Sequence, residues 1–407
     1  MTVFHGIKVL DVASYIAAPA AATILSDFGA EVIKIEPPGA GDGQRLLSSL
    51  PNVPQSVHNY GWSFPSRNKK GLALDLKTEE GQAVLHRLAA SADVLITNYP
   101  LAVRSRIGLD PGVLRSANPR LVYASVTGYG ETGPEAHRLG FDATAYFARS
   151  GLTDITRADA DAAPVAPALA AGDHPTASTL FGAIVTALFR RERTGEGAYV
   201  STSLLANGIW ANGTVVQAAL CGAEIRYRQP REQPRSALSN FYLCADERWF
   251  SIAMVAEERL WPAFVSIMGI HDLALDARFA ALAQRRTNAA ALTLELDSVF
   301  LQRTAQDWQQ RFESAGFTVS VVSRPIDVAN DVQARHACAI VPAAGVDGAD
   351  FTIDSPFQID GVTKCKPQRA PEVGEHSDAV LAANGFSTDE IVRLRRDGVV
   401  AGMQAQP

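Results

Sequence analysis

The sequence contains few cysteines, and they are far apart. The four are Cys221, Cys244, Cys338 and Cys365, with no CxxC pair and no cysteine–histidine cluster among them. Disulfide frameworks and structural zinc sites both require cysteine or histidine at short, regular spacings. The sequence therefore predicts neither, and we expect no metal site.

Long apolar runs and a basic excess are also missing. No stretch of 18 consecutive apolar residues occurs, and the segment from Met1 to Asp11 lacks the charged-then-apolar pattern of a signal peptide. These absences predict a cytoplasmic protein with no membrane partner. The net charge of −6 argues against a nucleic-acid partner, since that surface needs a basic excess.

Nucleotide-binding fingerprints are absent as well. The glycine-rich stretch Gly39–Gly43 follows a predicted strand but does not open a helix, and neither G-x-G-x-x-G nor a P-loop is present. A nucleotide-dependent oxidoreductase is therefore disfavoured. No prosthetic group is predicted.

The first half of the chain alternates short apolar runs with helical patterns. Strands are predicted at 7–12, 31–36, 72–76, 94–97 and 121–126, and helices at 19–28, 79–90 and 176–191. Strand, helix and strand within about 30 residues form a βαβ unit, which implies parallel pairing. The fold class predicted is α/β, with a Rossmann-like, doubly wound large domain.

The length of 407 residues favours two domains. Residues 226–239 are rich in Arg, Pro and Gln and read as a linker, followed by a hairpin at 240–253 and helices at 257–268, 289–303 and 305–315. The predicted division is a large domain at 1–225, a smaller α/β domain with its linker at 226–329, and a return to the large domain at 330–407. The return contains a strand-rich stretch at 349–360 and a helix at 388–397.

The most informative segment is AAGDHPT at 170–176, directly before the predicted central helix. Asp173 is placed at the N-cap and Pro175 in the first turn, where a missing N–H is harmless. Aspartate is a favoured cap, worth about 0.5–2 kcal/mol, and capping alone is the commoner role. The helix dipole is expected to keep Asp173 ionised, and an ionised carboxylate can be a covalent nucleophile.

Several further stretches of the sequence are informative when taken together. They include LDVASYIAAPAAATILSDFGAEVIKIEPPGAGD (10–42), RNKKGLALDLKTEEG (67–81), NPRLVYASVTGYGETGP (118–134), GFDATAYFARSGL (140–152), GDHPTA (172–177) and APEVGEHS (370–377). With these stretches the chain resembles the family III CoA-transferases, also called the CaiB/BaiF family. Their order and spacing hold over nearly the full length. Each stretch is weak alone, but together they form a strong signal.

The resemblance implies a reaction and its substrates. It places the catalytic nucleophile at Asp173, with coenzyme A or acyl-CoA and a small carboxylic acid as substrates. It implies aspartyl anhydride and aspartyl-CoA thioester intermediates, from which water must be excluded. It also implies a homodimer in which the two chains pass through each other like linked rings.

The resemblance further implies the residues around that nucleophile. Arg106 and Lys69 are candidates for phosphate contacts, although a surface arginine and a solvated turn would look the same. Ile16 stands where relatives often carry a polar residue. The implied CoA-binding residues are Ile16, Ala17, Lys69, Leu72, Asn98 and Arg106, and the implied substrate and loop residues are Gly128, Tyr129, Gly130 and Phe141.

Two other functions remain as alternatives. The α-methylacyl-CoA racemases also resemble this chain, but they use a histidine base where this sequence has Phe141, and a two-base racemase needs that second group. A non-catalytic acyl-CoA-binding homologue is the other alternative, because a fold alone does not establish catalysis.

Overall fold

The computed structural model describes residues 2–51, 53–343 and 348–402. The chain divides into two compact units, the first built from 1–152, 166–220 and 333–407 and the second from 153–165 and 221–332. These units differ from the predicted domains 1–225, 226–329 and 330–407 chiefly in residues 153–165, which belong to the second unit. In that unit Asp154 accepts a hydrogen bond from the Tyr227 hydroxyl at 2.7 Å.

Twelve strands occur in the described part of the chain, in three sheets. They are β1 (Lys8–Asp11), β2 (Glu31–Glu36), β3 (Lys69–Leu74), β4 (Val94–Thr97), β5 (Val122–Thr127), β6 (Tyr199–Ser203), β7 (Ser239–Leu243), β8 (Trp249–Ala253), β9 (Val319–Val321), β10 (Ile340–Pro342), β11 (Phe351–Ile353) and β12 (Val400–Ala401).

Eighteen α-helices are described alongside them. They are α1 (Ala17–Asp27), α2 (Tyr60–Ser66), α3 (Glu79–Ala89), α4 (Leu101–Arg104), α5 (Pro111–Ala117), α6 (Leu152–Ile155), α7 (Asp173–Thr194), α8 (Leu204–Ala211), α9 (Gly213–Leu220), α10 (Glu257–Met268), α11 (His271–Leu275), α12 (Leu282–Thr287), α13 (Ala289–Phe300), α14 (Ala305–Ser314), α15 (Pro325–Ala329), α16 (Val332–His336), α17 (Ser377–Ala383) and α18 (Thr388–Arg396). Residues 43–49 and 105–107 form 3₁₀ turns, and 142–148 form a π-helix. No helix among the described residues is both long and apolar enough to cross a bilayer.

The sheet of the first unit has the strand order β12-β3-β2-β1-β4-β5-β6. Strands β1 to β6 are parallel, and β12 pairs antiparallel with β3 at the edge. The chain builds outward from β1 in one direction and then from β4 in the other, which confirms the predicted doubly wound sheet. Ligand sites of such sheets lie outside the carboxyl ends of the strands at this reversal.

Helices cover both faces of this sheet, so its central strands are buried on both sides, as their nearly continuous apolar sequences require. All eleven residues of α1 are buried. Its many alanines have short side chains that allow α1 to pack closely against the sheet and α7, in a core that includes Leu25 and Leu180. The opposite core joins α3 and α5 to the C-terminal helices α17 and α18 through Leu85, Leu114 and Leu394.

The second unit is an antiparallel sheet of β7, β8 and β9 packed against helices. The predicted hairpin is confirmed, with Leu243 of β7 opposite Trp249 of β8. The helices predicted at 257–268, 289–303 and 305–315 correspond to α10, α13 and α14. Aromatic rings fill the core, among them Phe250, Phe300 and Phe312.

The C-terminal return differs in part from its prediction. The helix predicted at 388–397 is α18, and a capping box between Ser387 and Glu390 fixes its start. The strand-rich stretch predicted at 349–360 contains only the three residues of β11, which pair with β10. Residues 344–347 lie outside the described residues.

A buried ion pair connects three distant segments of the first unit. The Arg67 guanidinium donates two hydrogen bonds to the Asp27 carboxylate, at 3.0 and 2.6 Å, and both side chains are 2% exposed. Asn68 and Ser355 also donate to this carboxylate. The end of α1, the entry to β3 and the C-terminal return therefore share one anion.

Substitution of Arg67 tests how much the C-terminal return depends on the buried ion pair with Asp27. Arg67→Met would leave the Asp27 carboxylate buried without its ion-pair partner, so we expect the free energy of unfolding to fall by about 3–5 kcal/mol in urea titrations. The matched control is Arg395→Met, because Arg395 pairs with Asp378 at 2.6 Å but both side chains are exposed. We expect the control to cost less than about 1 kcal/mol. Equal losses for the two variants would contradict a structural role for the buried pair.

Candidate active site

A cavity of about 390 Å³ opens at the carboxyl edge of the parallel sheet. It lies where β1 and β4 end, which is the reversal of strand order at which a ligand site is expected. The lining residues come from the loops after β1, β4 and β5 and from the starts of α7 and α8: Ser14, Tyr15, Ile16, Ala17, Asn98, Tyr99, Pro100, Leu101, Val126, Thr127, Gly128, Ala136, His137, Arg138, Leu139, Gly140, Phe141, Asp173 and Leu204. Much of this surface is apolar.

Asp173 is the first residue of α7 and not its cap. The cap position belongs to Gly172, and no side chain caps the helix, so the prediction that Asp173 caps it is wrong. A β-carbon at position 172 would lie 2.6 Å from the Tyr146 ring, so glycine is needed for this close approach. The carboxylate of Asp173 is therefore not used by its own helix and lines the cavity.

The charge state of Asp173 also differs from the prediction. Burial in the apolar cavity raises the pKa of Asp173 to about 7, and the negative charge of nearby Asp142 adds to the increase. The expected effect of the helix dipole is outweighed, because a carboxylate separated from water is costly to ionise. With a pKa of about 7, Asp173 is present in both its protonated and its ionised form at neutral pH.

The loop after β1 is held in place by the side chain of Asn98, which directly follows β4. Asn98 accepts a hydrogen bond from the Ser14 N–H at 2.9 Å and donates one to the Ser14 carbonyl at 2.7 Å. Ile16 and Ala17, the residues at the start of α1, line the cavity next to this clamp. The predicted residues Ile16, Ala17 and Asn98 are thus brought together with Asp173.

Lys69 lies beneath the loop instead of at the surface. Its side chain is fully buried, and the ammonium donates to Asp11 at 2.8 Å and to the carbonyls of Pro19 and Pro65 at 2.7 Å each. Burial lowers the pKa of Lys69 to about 8, although Asp11 opposes this shift. The predicted phosphate contact through Lys69 does not fit this geometry, because its donors are occupied inside the protein.

Two more predicted CoA-binding residues lie away from the cavity. Leu72 is completely buried in the core, so its side chain offers no surface to a ligand. Arg106 is exposed in a 3₁₀ turn and does not line the cavity, and its carbonyl accepts a hydrogen bond from Gln82 at 2.9 Å. A contact between Arg106 and a phosphate group outside the cavity stays a prediction.

Arg104 is another buried cation of this region, and the sequence analysis did not single it out. Its guanidinium donates to Ser125 at 2.6 Å, to the Tyr199 hydroxyl at 3.0 Å and to Glu131 at 3.3 Å. Tyr199 also donates to Glu131 at 2.7 Å. Glu131 belongs to the glycine-rich loop 128–133, so Arg104 anchors that loop to the sheet.

The predicted loop residues occupy different places. Gly128 and Phe141 line the cavity, while the Tyr129 ring lies under the Arg138 guanidinium at 4.8 Å. Gly130 has a φ of 101°, a conformation that side chains rarely adopt, with open space around it. Glycine is therefore required at position 130 by backbone geometry.

Among the lining residues that the sequence analysis did not single out are Tyr15, His137 and Arg138. His137 and Arg138 stand in the interval between two of the quoted stretches, where no pattern marks them. The His174 ring, which the sequence analysis did not include among the site residues, packs on Phe64 at 4.9 Å, and burial lowers the pKa of His174. Within the described residues, no three His, Cys, Asp or Glu side chains form a metal-binding group.

The fold and the cavity define the class of protein: an α/β protein with one acidic side chain lining a largely apolar cleft at the carboxyl edge of its parallel sheet. A family model places the chain more closely. The chain belongs to the CoA-transferases of family III, whose model matches residues 4–377.

Individual relatives are similar over nearly the whole chain. The (R)-2-hydroxy-4-methylpentanoate CoA-transferase of Clostridioides difficile is 30% identical over 97% of this chain and 99% of its own length. The succinyl-CoA–D-citramalate CoA-transferase of Chloroflexus aurantiacus is 32% identical over 97% of each. The crystal structure of a CaiB/BaiF family protein from Brucella suis has a TM-score of 0.84 and 29% identity, and covers 94% of this chain and 99% of that one.

The raised pKa predicts how Asp173 titrates. Because its folded-state pKa near 7 exceeds the unfolded value near 4, ionisation of Asp173 opposes folding as the pH rises from about 4 to about 7. We expect Asp173→Asn to raise the melting temperature at pH 8 more than at pH 4. Titration of ¹³C-labelled aspartate carboxyls by NMR should show one midpoint near 7, shifted downwards in Asp142→Asn. A midpoint near 4 for Asp173 in the native protein would refute this account.

Proposed function

We propose that this CoA-transferase moves coenzyme A from an acyl-CoA to a carboxylic acid through the side chain of Asp173. The observation that carries the proposal is the position of this carboxylate, which lines the cavity at the switch point and makes no capping bond. The resemblance of the segment GDHPTA supports the same residue. A carboxylate with a raised pKa is also a stronger nucleophile once it is ionised.

The proposed reaction balances without water or ATP. An Asp173 oxygen attacks the thioester carbonyl, the CoA thiolate leaves, and an acyl-aspartyl anhydride forms. The thiolate then attacks the aspartyl carbonyl, which releases the first acid as its carboxylate and leaves an aspartyl-CoA thioester. The carboxylate of the second acid attacks this thioester, which forms a new anhydride and releases the CoA thiolate. The thiolate then attacks the carbonyl of the second acid in that anhydride, which forms the new acyl-CoA and frees the Asp173 carboxylate. Each intermediate is an activated acyl group, so the exchange is reversible.

The first turn of α1 is suited to hold part of the coenzyme. Helix α1 begins at Ala17, on the wall of the cavity, and the first backbone N–H groups of a helix have no partner within it. Such a terminus attracts phosphate and oxyanion groups. The clamp between Asn98 and Ser14 keeps this loop in place.

We also propose the interlocked homodimer that the family resemblance implies. In its support, large apolar side chains are exposed on the helices that follow Asp173. Trp210 is 88% exposed, Leu220 76% and Phe189 63%. Exposed aromatic side chains such as Trp210 and Phe189 are typical of protein–protein interfaces.

Trapping of the intermediate tests the role of Asp173. Native protein incubated with acyl-CoA and hydroxylamine should acquire a hydroxamate at Asp173, detectable by peptide mass spectrometry, while Asp173→Asn should acquire none. We expect Asp173→Ala to lose about three orders of magnitude or more in turnover, because a covalent route has no substitute nucleophile. His174→Gln is the matched control and should retain activity within a few-fold.

The same incubation separates the racemase alternative. In D₂O a racemase would introduce deuterium at the carbon next to the thioester, whereas a transferase would not. His137 lines the cavity and is the residue that this measurement tests as a racemase base. Normal CoA transfer by Asp173→Ala would overturn the proposed mechanism.

The glycine-rich loop 128–133 is proposed to shield the activated intermediates from water. Gly130→Ala forces a side chain into a φ of 101°, so the loop should shift. The activation barrier of CoA transfer should then rise by about 1.4 kcal/mol, which slows turnover about tenfold. We expect a larger share of acyl-CoA to be hydrolysed, measured as acid released per CoA transferred. Gly195→Ala is the control, because Gly195 has a φ of 79° at the opposite end of α7. An unchanged ratio in Gly130→Ala would contradict the shielding role.

A further inference from the structure

Two aromatic rings stand unusually open on the wall of the cavity. The Tyr15 side chain is 49% exposed and Phe141 is 64% exposed, although rings of this size are normally buried. They meet edge to face, with ring centroids 6.1 Å apart. Each ring lines the cavity that contains Asp173. A ligand in this cavity therefore meets an aromatic surface.

The backbone of Tyr15 is held in a strained conformation at this position. Its φ is 64°, in the left-handed region that side chains rarely adopt. The Tyr15 N–H donates to Asp42 at 3.0 Å, and the adjacent Ser14 is clamped on both sides by Asn98. Such strain persists only when surrounding contacts impose it, and it concentrates at ligand sites.

The neighbouring loop leaves room for the Tyr15 ring. A β-carbon at Gly43 would lie 3.1 Å from the Tyr15 hydroxyl oxygen, which is tighter than ordinary contacts. The absence of a side chain at position 43 thus permits the position of the Tyr15 ring. A substitution at Gly43 can therefore displace this ring while Tyr15 itself is unchanged.

The charges of the cavity disfavour an acid with a second carboxylate. Among its lining residues, all of which the structure describes, the only arginine or lysine is Arg138. Arg138 already faces Glu135 at 3.4 Å and the Tyr129 ring at 4.8 Å. Asp173 contributes negative charge. A second carboxylate would lose hydration without gaining a dedicated cation.

We propose that Tyr15 and Phe141 form a specificity wall that selects monocarboxylic acids with a planar apolar body, such as arylalkanoic acids, over acetate-sized and dicarboxylic acids. This inference rests on the proposed transfer through Asp173 and narrows its substrate class. Flat apolar groups gain from edge-to-face and offset contacts with such rings beyond the area that they bury. The carboxylate of the acid then lies towards Asp173.

The test compares three acceptor acids, phenylacetate, acetate and succinate, with acetyl-CoA as donor and kcat/KM measured for each. We expect native protein to favour phenylacetate at least tenfold over the other two. Phe141→Leu should reduce that preference by about three- to tenfold, which matches the energy of one aromatic contact. Tyr15→Gly should do the same while the melting temperature is kept or raised, because glycine relieves the strained φ.

Two further variants separate the wall from general damage. Gly43→Ala should reduce the preference in the same direction by displacing the Tyr15 ring. Phe241→Leu, which alters an exposed ring of β7 outside the cavity, should leave the kcat/KM for all three acids unchanged. The KM for acetyl-CoA should stay constant in Tyr15→Gly and Phe141→Leu.

Each contrary outcome has a distinct meaning. A native preference for acetate or succinate, or an unchanged preference in the ring variants, overturns the specificity wall while transfer through Asp173 stands. If the KM for acetyl-CoA rises in the ring variants as the preference falls, the rings contact the coenzyme and not the acid, which also overturns the specificity wall. If no acid accepts CoA and no hydroxamate forms at Asp173, the proposed function itself fails.

Discussion

The cavity depends on a cluster of four buried charges beneath the loop that follows β1. Lys34 pairs with Asp42 at 2.8 Å and lies 3.8 Å from Asp11, while Lys69 pairs with Asp11 at 2.8 Å. Two cations and two anions cancel, which offsets part of the large cost of removing four charges from water. Lys34 also donates to the carbonyl of Ala13, and Asp42 accepts from the Tyr15 N–H. The cluster therefore fixes the backbone on both sides of Ser14, and the cavity wall is built from that backbone.

The same constraint explains why the active region is divided among distant parts of the sequence. Parallel strands carry their carboxyl ends to one edge, so the loops after β1, β4 and β5 meet although they are far apart along the chain. Hydrogen bonds then join them: Asn98 holds the first loop, and Arg104 holds the glycine-rich loop through Glu131. Both anchors reach across the sheet edge from the segment after β4. The position of Asp173 relative to these loops is set by α7, which packs on α1 and the sheet.

Periodicity was sufficient to predict the doubly wound sheet and the second unit's hairpin. The family resemblance implied Asp173, Asn98, Ile16 and Ala17 as site residues, and these four line one cavity. The burial of Lys69 and Leu72 away from the cavity was not predictable from the sequence. A lysine at the start of a strand normally faces water, and its burial here depends on Asp11, which lies 58 residues earlier in the chain. The transfer of residues 153–165 to the second unit depends likewise on tertiary contacts such as Tyr227 with Asp154. The left-handed backbone of Tyr15 leaves no signal in composition, because the force that imposes it comes from Asp42 and Asn98.

In the proposed mechanism, the raised pKa of Asp173 links this architecture to the chemistry of acyl exchange. A fully exposed aspartate would be ionised at neutral pH but weakly basic, and water would reach any anhydride that formed on it. The cavity reduces the ionised fraction while it makes the remaining carboxylate more basic, and a pKa near 7 balances these two effects at neutral pH. In the proposed mechanism, the apolar wall that raises the pKa is also the wall that limits access of water to the intermediates. If transfer runs through Asp173 as proposed, one physical property, the poor solvation of this carboxylate, accounts for both its reactivity and the protection of the acyl group that it carries.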